Sequence, residues 1–544
     1  MKRILINISF AAALFATGCT KNFDDTNTNP TQASASNFDP NLLLPSGELG
    51  YVNAVAGYSG PILFQSMWVQ IFASAIYPGY YSNGDKYVQG GSYLSYQAST
   101  WNNAYQAASY LREIQNLTKD KPELSNLSGI SVIGELLNIE AVTDVYGDCP
   151  YSQGLQAKTG LSQPVYDKQQ DIYNSMLAKL DSVLPTLDAS KTIPTNDVFP
   201  YKGNIAQWKK FGYSLMLRMA MRLTKADAAA AQKYAEKAAA GGVFASNDDN
   251  AYIKLDNSHG FSNPNARALQ VAEDYSEVKW GKMLIDYLKS TNDPRLGVIA
   301  EVPKPGVKNA ANESLPGDNT PANQQGMPNG YDQNGGAADI SKAPGYPGAS
   351  PADPATNTAT YTDQPNVTGN YSRPATALYL DLSTPAFVLT YAQTEFLLAE
   401  AAARGWSVGS SASAHYTNGL IAAMQTYSTL NSAGAISPSV ATAYAAANPL
   451  DISSPDNSLK QINTQYWVLT GTIFDFDEAW SNWRRSGYPE LTPVNYPGNF
   501  TNGTIPRRQA YPTGEASTNP VNYKTGIANL QSGDTYASRV WWDK

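Results

Sequence analysis

The sequence predicts a mostly α-helical fold, built from successive helical pairs and interrupted by long irregular excursions. Three observations predict it. Apolar residues recur at helical spacing through most of the chain. Strand signals are sparse. Two stretches have no period: residues 303–365 hold 10 Pro and 8 Gly, too long for a plain connector, and residues 488–544 are rich in Pro, Gly, Asn and Tyr.

The elements follow in order. Residues 63–72 (LFQSMWVQIF) are apolar on several faces and predict a buried helix. Helices are then expected over 101–117, 130–146, 169–187 and 204–223. In the last of these, Trp208, Phe211, Leu215 and Met219 form one stripe, with Leu217 and Met221 opposite, so other helices should surround it. The alanine-rich 226–240 stops at Gly241-Gly242. A second block opens at Tyr391, where Thr390 and Gln393 resemble a capping box and Gly405 a stop. A last helix is expected over 473–486, capped by Thr472. Asp475, Asp477 and Glu478 serve as its helix-start charges, and Arg484 and Arg485 lie at its end. Helical pairs of this length resemble a tetratricopeptide-like array. Trp541 and Trp542 predict a C-terminus packed back onto the helices.

The N-terminus sets the compartment. Lys2 and Arg3 precede an apolar run over 4–15, too short for a permanent span, which reads as the core of a signal peptide. It closes on Ala16-Thr17-Gly18-Cys19, which resembles a bacterial lipobox, with Ala16 where Leu is usual. Residues 1–18 are expected to be removed and Cys19 lipidated. Each buried acyl CH₂ contributes about 0.8 kcal/mol to anchoring. Residues 19–40 are polar and expected to form a flexible tether. Residues 41–544 are read as one domain, with an irregular excursion at about 291–375.

Composition narrows the function. With Cys19 lipidated, Cys149 is the one remaining thiol, so no internal disulfide forms. Two histidines make histidine-based metal sites and proton relays scarce. The acidic loops lack the spacing of an EF-hand, and no metal or cofactor is expected. A net charge of −8 argues against nucleic acid, which needs a basic face. Charged residues are 15%, whereas about a quarter is usual, and there are 35 tyrosines. Such a surface suits neutral polar ligands, with sugars the first candidates.

Sugar recognition needs flat apolar faces beside amides or carboxylates. Residues 77–105 hold seven tyrosines and Trp101. Within them Tyr77, Tyr80, Tyr81 and Asn83 belong to a segment that reads as an exposed loop between helices, and are the first ligand-binding candidates. The competing reading has these rings anchoring the loop to the core; Trp101 and Tyr105 are assigned to helix core. A second candidate surface is the excursion, with Tyr331 and Tyr346 beside Gln324 and Asn329, and with Trp280 on a helix just before it. A surface glycoside hydrolase is the main catalytic rival. It needs two carboxylates about 5–10 Å apart across a bond. Glu395 and Glu400 point in different directions from one helix, and neither a G-x-S-x-G elbow nor a phosphate loop is present. Catalytic residues are therefore not expected.

Several stretches, in order, are similar to the SusD/RagB family of nutrient-binding outer-membrane lipoproteins. They are the lipobox with NFDD at 22–25, TDVYGDCPY at 143–151, WKKFGYSLMLRMAMR at 208–222, YAQTEFLLAEAAARGW at 391–406, EAWSNWRRSGYPEL at 478–491, Pro506-Arg507-Arg508, and the terminal RVWWD. Cys149 stands where an aliphatic residue is expected. The resemblance implies a tetratricopeptide-like helical fold with irregular excursions that build a ligand surface. It also implies a TonB-dependent, SusC-like outer-membrane transporter as partner, to which a captured oligosaccharide is delivered. A peptide or other nutrient is the alternative ligand within the family. The excursion is then a candidate contact for the transporter as well as for ligand. The matching stretches themselves read as scaffold, with Arg218 and Arg222 pairing to loop carboxylates and Asp144 with Asp148 clamping a turn.

Overall fold

The computed structural model describes residues 38–76, 79–89, 93–271, 277–304, 315–351 and 366–544. The signal peptide, Cys19, the tether up to residue 37 and Tyr77 lie outside the described residues. Asn41–Lys544 forms one compact unit, distinct from Met1–Pro40. No helix among the described residues is long and apolar enough to cross a membrane.

The first helical block contains α1 (Leu44–Val55), the short α2 (Tyr80–Lys86), α3 (Ser99–Thr118), α4 (Ser125–Tyr146), α5 (Gln169–Val183), α6 (Ile205–Arg222) and α7 (Ala228–Gly241). Short α8 (Pro264–Leu269) and α9 (Lys282–Ser290) precede the excursion. The second block holds α10 (Tyr391–Ala403), α11 (Ala412–Leu430), α12 (Pro438–Ala447), α13 (Pro455–Thr472) and α14 (Phe476–Ser486), and α15 (Pro520–Ala528) lies near the C-terminus. Helices pack on their sequence neighbours: α3 on α4, α6 on α7, α10 on α11 and α13 on α14. The fold is thus mostly α, in tetratricopeptide-like pairs.

Local chemistry accounts for the boundaries. The Asn204 side chain accepts from Ala206 and Gln207 N–H at 3.0 and 3.3 Å and caps α6. Asp227 caps α7 through Ala230 N–H. Thr390 and Gln393 form a reciprocal capping box at α10. Gly487, in the left-handed region at φ 87°, stops α14.

Short strands add local ties: β1 (Phe72–Ala73), β2 (Ala251–Ile253), β3 (Lys279–Trp280), β4 (Ala300–Glu301), β5 (Arg373–Pro374) and β6 (Ala386–Leu389). β1 pairs with β3, β2 with β6 and β4 with β5, all antiparallel.

Two expected helices differ. Over 63–72 the α-helix is confined to Gln65–Trp68, after which Gln70 turns left-handed at φ 57° and β1 begins. Tertiary bonds win there: the Trp467 indole donates to the Val69 carbonyl at 3.1 Å, and the Gln70 amide donates to Thr492 O at 2.5 Å. The last helix starts at Phe476, not 473, because Thr472 ends α13 and Phe474 turns left-handed.

The scaffold stretches close a buried ion network. Arg218 pairs with Glu140 on α4, and Arg222 with Asp144 on α4 and Glu478 on α14. These carboxylates are helical, not in loops as expected, so the arginines join three helices directly. Glu478 lies in its helix's first turn but is buried, accepting also from the Tyr466 hydroxyl at 2.6 Å. Asp148 holds the start of α5 through Gln169 N–H at 2.8 Å, while Asp144 is taken by Arg222 instead of sharing that turn. Arg485 and Glu400 form a second buried pair at 2.6 and 2.7 Å. The C-terminus is locked in: Trp542 is fully buried, its indole donates to Asp144 at 3.0 Å, and the Arg484 guanidinium lies 4.5 Å from its ring.

Candidate functional site

Two clefts open on the surface. The first, of about 840 Å³, is lined by Lys282 and Asp286 of α9, by Asn329, Tyr331 and Asp332 of the excursion, and by Glu490 and Tyr496 of the loop after α14. Its frame is a buried carboxylate. Asp85 on α2 accepts from Asn329 Nδ2 at 2.6 Å and from Gly330 N–H at 2.8 Å. Neighbouring Lys86 donates to Ser74 O at 2.8 Å and to Ser82 Oγ at 2.7 Å. Burial pushes the Asp85 carboxyl up, offset in part by the Lys86 charge; burial pushes Lys86 down. Opposite, the Tyr496 hydroxyl donates to Asp332 Oδ2 at 2.6 Å, and Lys86 Nζ sits 5.7 Å from the Tyr496 ring centre. A contiguous hollow of about 490 Å³ shares Lys282, Asp286 and Pro328 with it.

The second cleft, of about 910 Å³, lies between the C-terminal end of α1, the start of α3 and α8. Asn53, Tyr58, Tyr96, Asn103, Phe261, Arg267 and Val271 line it. Tyr58 and Tyr96 meet edge to face at 5.3 Å. Phe261 and Val271 are 52% and 49% exposed, too open to be core.

The predicted site residues divide. Tyr331 is half-buried and lines the first cleft. Tyr80 opens α2. Three expectations need correction. Tyr81 has no exposed surface; its ring packs edge to face behind Tyr58 at 5.7 Å, because 80–86 forms a helix and not an exposed loop. Asn83 is buried on the same helix. Trp280 is fully buried on β3, not on a helix; its indole donates to Ile299 O at 3.1 Å and its ring lies 4.8 Å from Phe72. Tyr346 is half-buried and ties its own loop, donating to Val367 O at 2.8 Å, and it lines neither cleft. Gln324, also fully buried, bonds Asp318 and Thr320 carbonyls and the Ser372 hydroxyl.

Sequence reasoning missed Tyr496, Tyr58 and Arg267 and passed over Tyr96. Signals existed: Tyr496 sits in Pro-Val-Asn-Tyr-Pro and Tyr58 in Tyr-Ser-Gly-Pro, the same aromatic-plus-turn chemistry that singled out 77–85.

The family model described as SusD-like, starch-binding associating with outer membrane, matches residues 65–512. The chain belongs to the SusD-like family. A solved chitin-binding protein is 28% identical, covering 93% of this chain and all of its own, with a TM-score of 0.75. A Bacteroidetes SusD-like protein is 23% identical over 93% of this chain and all of its own, with a TM-score of 0.76. A chitin-binding SusD homologue from Flavobacterium johnsoniae is 22% identical over 92% of this chain and 98% of its own, at 0.70. No curated protein matches at a significant level. SusD-like proteins are carbohydrate-binding and non-catalytic, so this chain is a binding protein, not an enzyme. The family's outer-membrane association gives its compartment.

Proposed function

We propose that this SusD-like chain is a surface lipoprotein, anchored through Cys19, that captures a neutral oligosaccharide in the first cleft and delivers it to a TonB-dependent transporter. The observation that carries this reading is the pairing of Tyr331 and Tyr496 with Asp332, Asn329 and Asp286 in one open cleft. Ring faces take the C–H side of a pyranose, and carboxylates and amides take its hydroxyls. The chitin-binding protein at 28% identity supports a glycan over a peptide. In the lining, the carboxylates of Asp286, Asp332 and Glu490 outnumber the Lys282 ammonium, which disfavours anionic ligands. Tyr77 and Tyr80 remain proposed ligand contacts.

Native affinity gels of residues 25–544 against soluble polysaccharides and chitin oligosaccharides, with albumin and a peptide digest as controls, test it. Retardation by a neutral glycan that is lost in Tyr331→Ala or Tyr496→Ala is expected. Retardation unchanged in both variants moves the site; no retardation by any glycan sinks the reading. Delivery is tested by co-purification of the full chain from membranes with an outer-membrane barrel.

A further inference from the structure

We infer that the second cleft is a separate binding site for a carboxylate-bearing sugar unit, such as a hexuronate. Among the described residues, Arg267 is the one charged side chain in its lining, is exposed, and forms no ion pair. An exposed guanidinium in the lining of a cleft attracts an anion. The planar fork of donors matches a carboxylate in two parallel, charge-assisted hydrogen bonds, an assistance no neutral hydroxyl supplies.

The rest of the lining fits a sugar ring carrying that carboxylate. Tyr58 and Tyr96, set edge to face at 5.3 Å, and the open Phe261 ring supply apolar faces. Asn103 spends its Nδ2 on Asn53 O at 3.1 Å, leaving its carbonyl oxygen as an acceptor for a hydroxyl. The volume of about 910 Å³ is ample for a trisaccharide. Aromatic faces, an amide and a single guanidinium select a ligand that is both flat-faced and acidic. The site is independent of neutral-glycan capture at the first cleft, whose lining carries an excess of carboxylates.

Titration calorimetry on the full chain in detergent tests it, with trigalacturonate, its fully methyl-esterified form, and an acidic tripeptide. Trigalacturonate should bind; esterification or Arg267→Ala should each weaken it about tenfold or more, with Arg267→Lys intermediate and the melting temperature unchanged. Glu273 and Asp274 follow in the sequence, and replacing both by their amides should leave the preference for the acid in place. Equal binding of acid and ester, indifference to Arg267→Ala, loss of the preference in the double-amide variant, or no binding of the acid would each overturn the proposal. Binding of the tripeptide in place of the sugar overturns the sugar assignment. The gels with Tyr331→Ala and Tyr496→Ala report on the first cleft and the titrations with Arg267→Ala on the second, so either site can fail without the other.

Discussion

The two clefts are of similar size and oppositely built. The first is assembled from irregular chain: the excursion and the loop after α14 meet over α2, held by buried Asp85 and edged with carboxylates. The second is assembled at helix ends, with Tyr58, Tyr96 and Phe261 in the segments flanking α1, α3 and α8 and the Arg267 guanidinium on α8. Both rest on one scaffold, and α2 touches both, since Tyr81 backs Tyr58 while Asp85, one turn on, holds Asn329. The difference teaches that ligand charge is set at the rim, by a few side chains the scaffold does not need. Size and position come from the scaffold itself.

Breaking the shared scaffold should abolish the contrast with the largest effect. Burial alone would raise the Glu400 carboxyl, but the Arg485 and Arg404 guanidiniums outweigh it and hold it well below the usual carboxylate range. Glu400→Ala leaves buried Arg485 without its partner and should cost about 3–5 kcal/mol, read by denaturant unfolding. Both clefts should lose ligand together. The same pair sets an acid limit. A depressed folded value stabilises above the unfolded value, so this contribution is whole at neutral pH and is lost as pH falls through and below the ordinary carboxylate range. Unfolding free energy measured from pH 7 downward should fall there, and less steeply in Glu400→Gln.

Asp85→Ala should separate the clefts. It removes the acceptor of Gly330 N–H and one of the two acceptors of Asn329 Nδ2, which keeps Phe72 O at 2.9 Å, and it leaves buried Lys86 without its neighbouring carboxylate; a donor left unmatched costs about 1–3 kcal/mol. Neutral-glycan retardation should vanish while trigalacturonate titrations stay unchanged. Equal loss of both in a folded protein would show that the clefts are one site.

Much of the scaffold was legible in the sequence because its chemistry is local. Asn204, Thr390 with Gln393, and Gly487 announce helix ends within a few residues, and the α6 stripe announces burial. The candidate site was legible only in part. Tyr331 lies in a cleft, yet Tyr81 and Trp280 are core, because residue type cannot tell a ring that faces solvent from one that fills a gap. What decides is partners hundreds of residues away. Gln70 meets Thr492, 422 residues on, and with the Trp467 bond to Val69 O it ends a predicted helix and ties down the loop that carries Tyr496. Arg267 gave no periodic signal, since a lone surface arginine acquires meaning only from the rings around it.

Tyr496 sharpens the first cleft. Its ring supplies a face and its hydroxyl orients Asp332. Tyr496→Ala should weaken neutral-glycan affinity about tenfold, near 1.4 kcal/mol. Tyr496→Phe, which keeps the face and removes one hydrogen bond, should cost about 0.5–1.5 kcal/mol or less. Calorimetry with the glycan found in the gels separates face from hydroxyl.

The smallest effect falls on Phe261. At 52% exposure its ring contributes little to folding, so Phe261→Ala should shift stability by less than about 0.5 kcal/mol. Lying with Tyr58 and Tyr96 in one lining, the ring is placed to stack on a ligand. Trigalacturonate should therefore weaken about threefold in this variant, from lost stacking alone, with the preference for acid over ester intact because Arg267 is untouched. If the preference also fell, charge and face would be acting through one contact, and the rim would not be divisible into a part that holds the ring and a part that reads the charge.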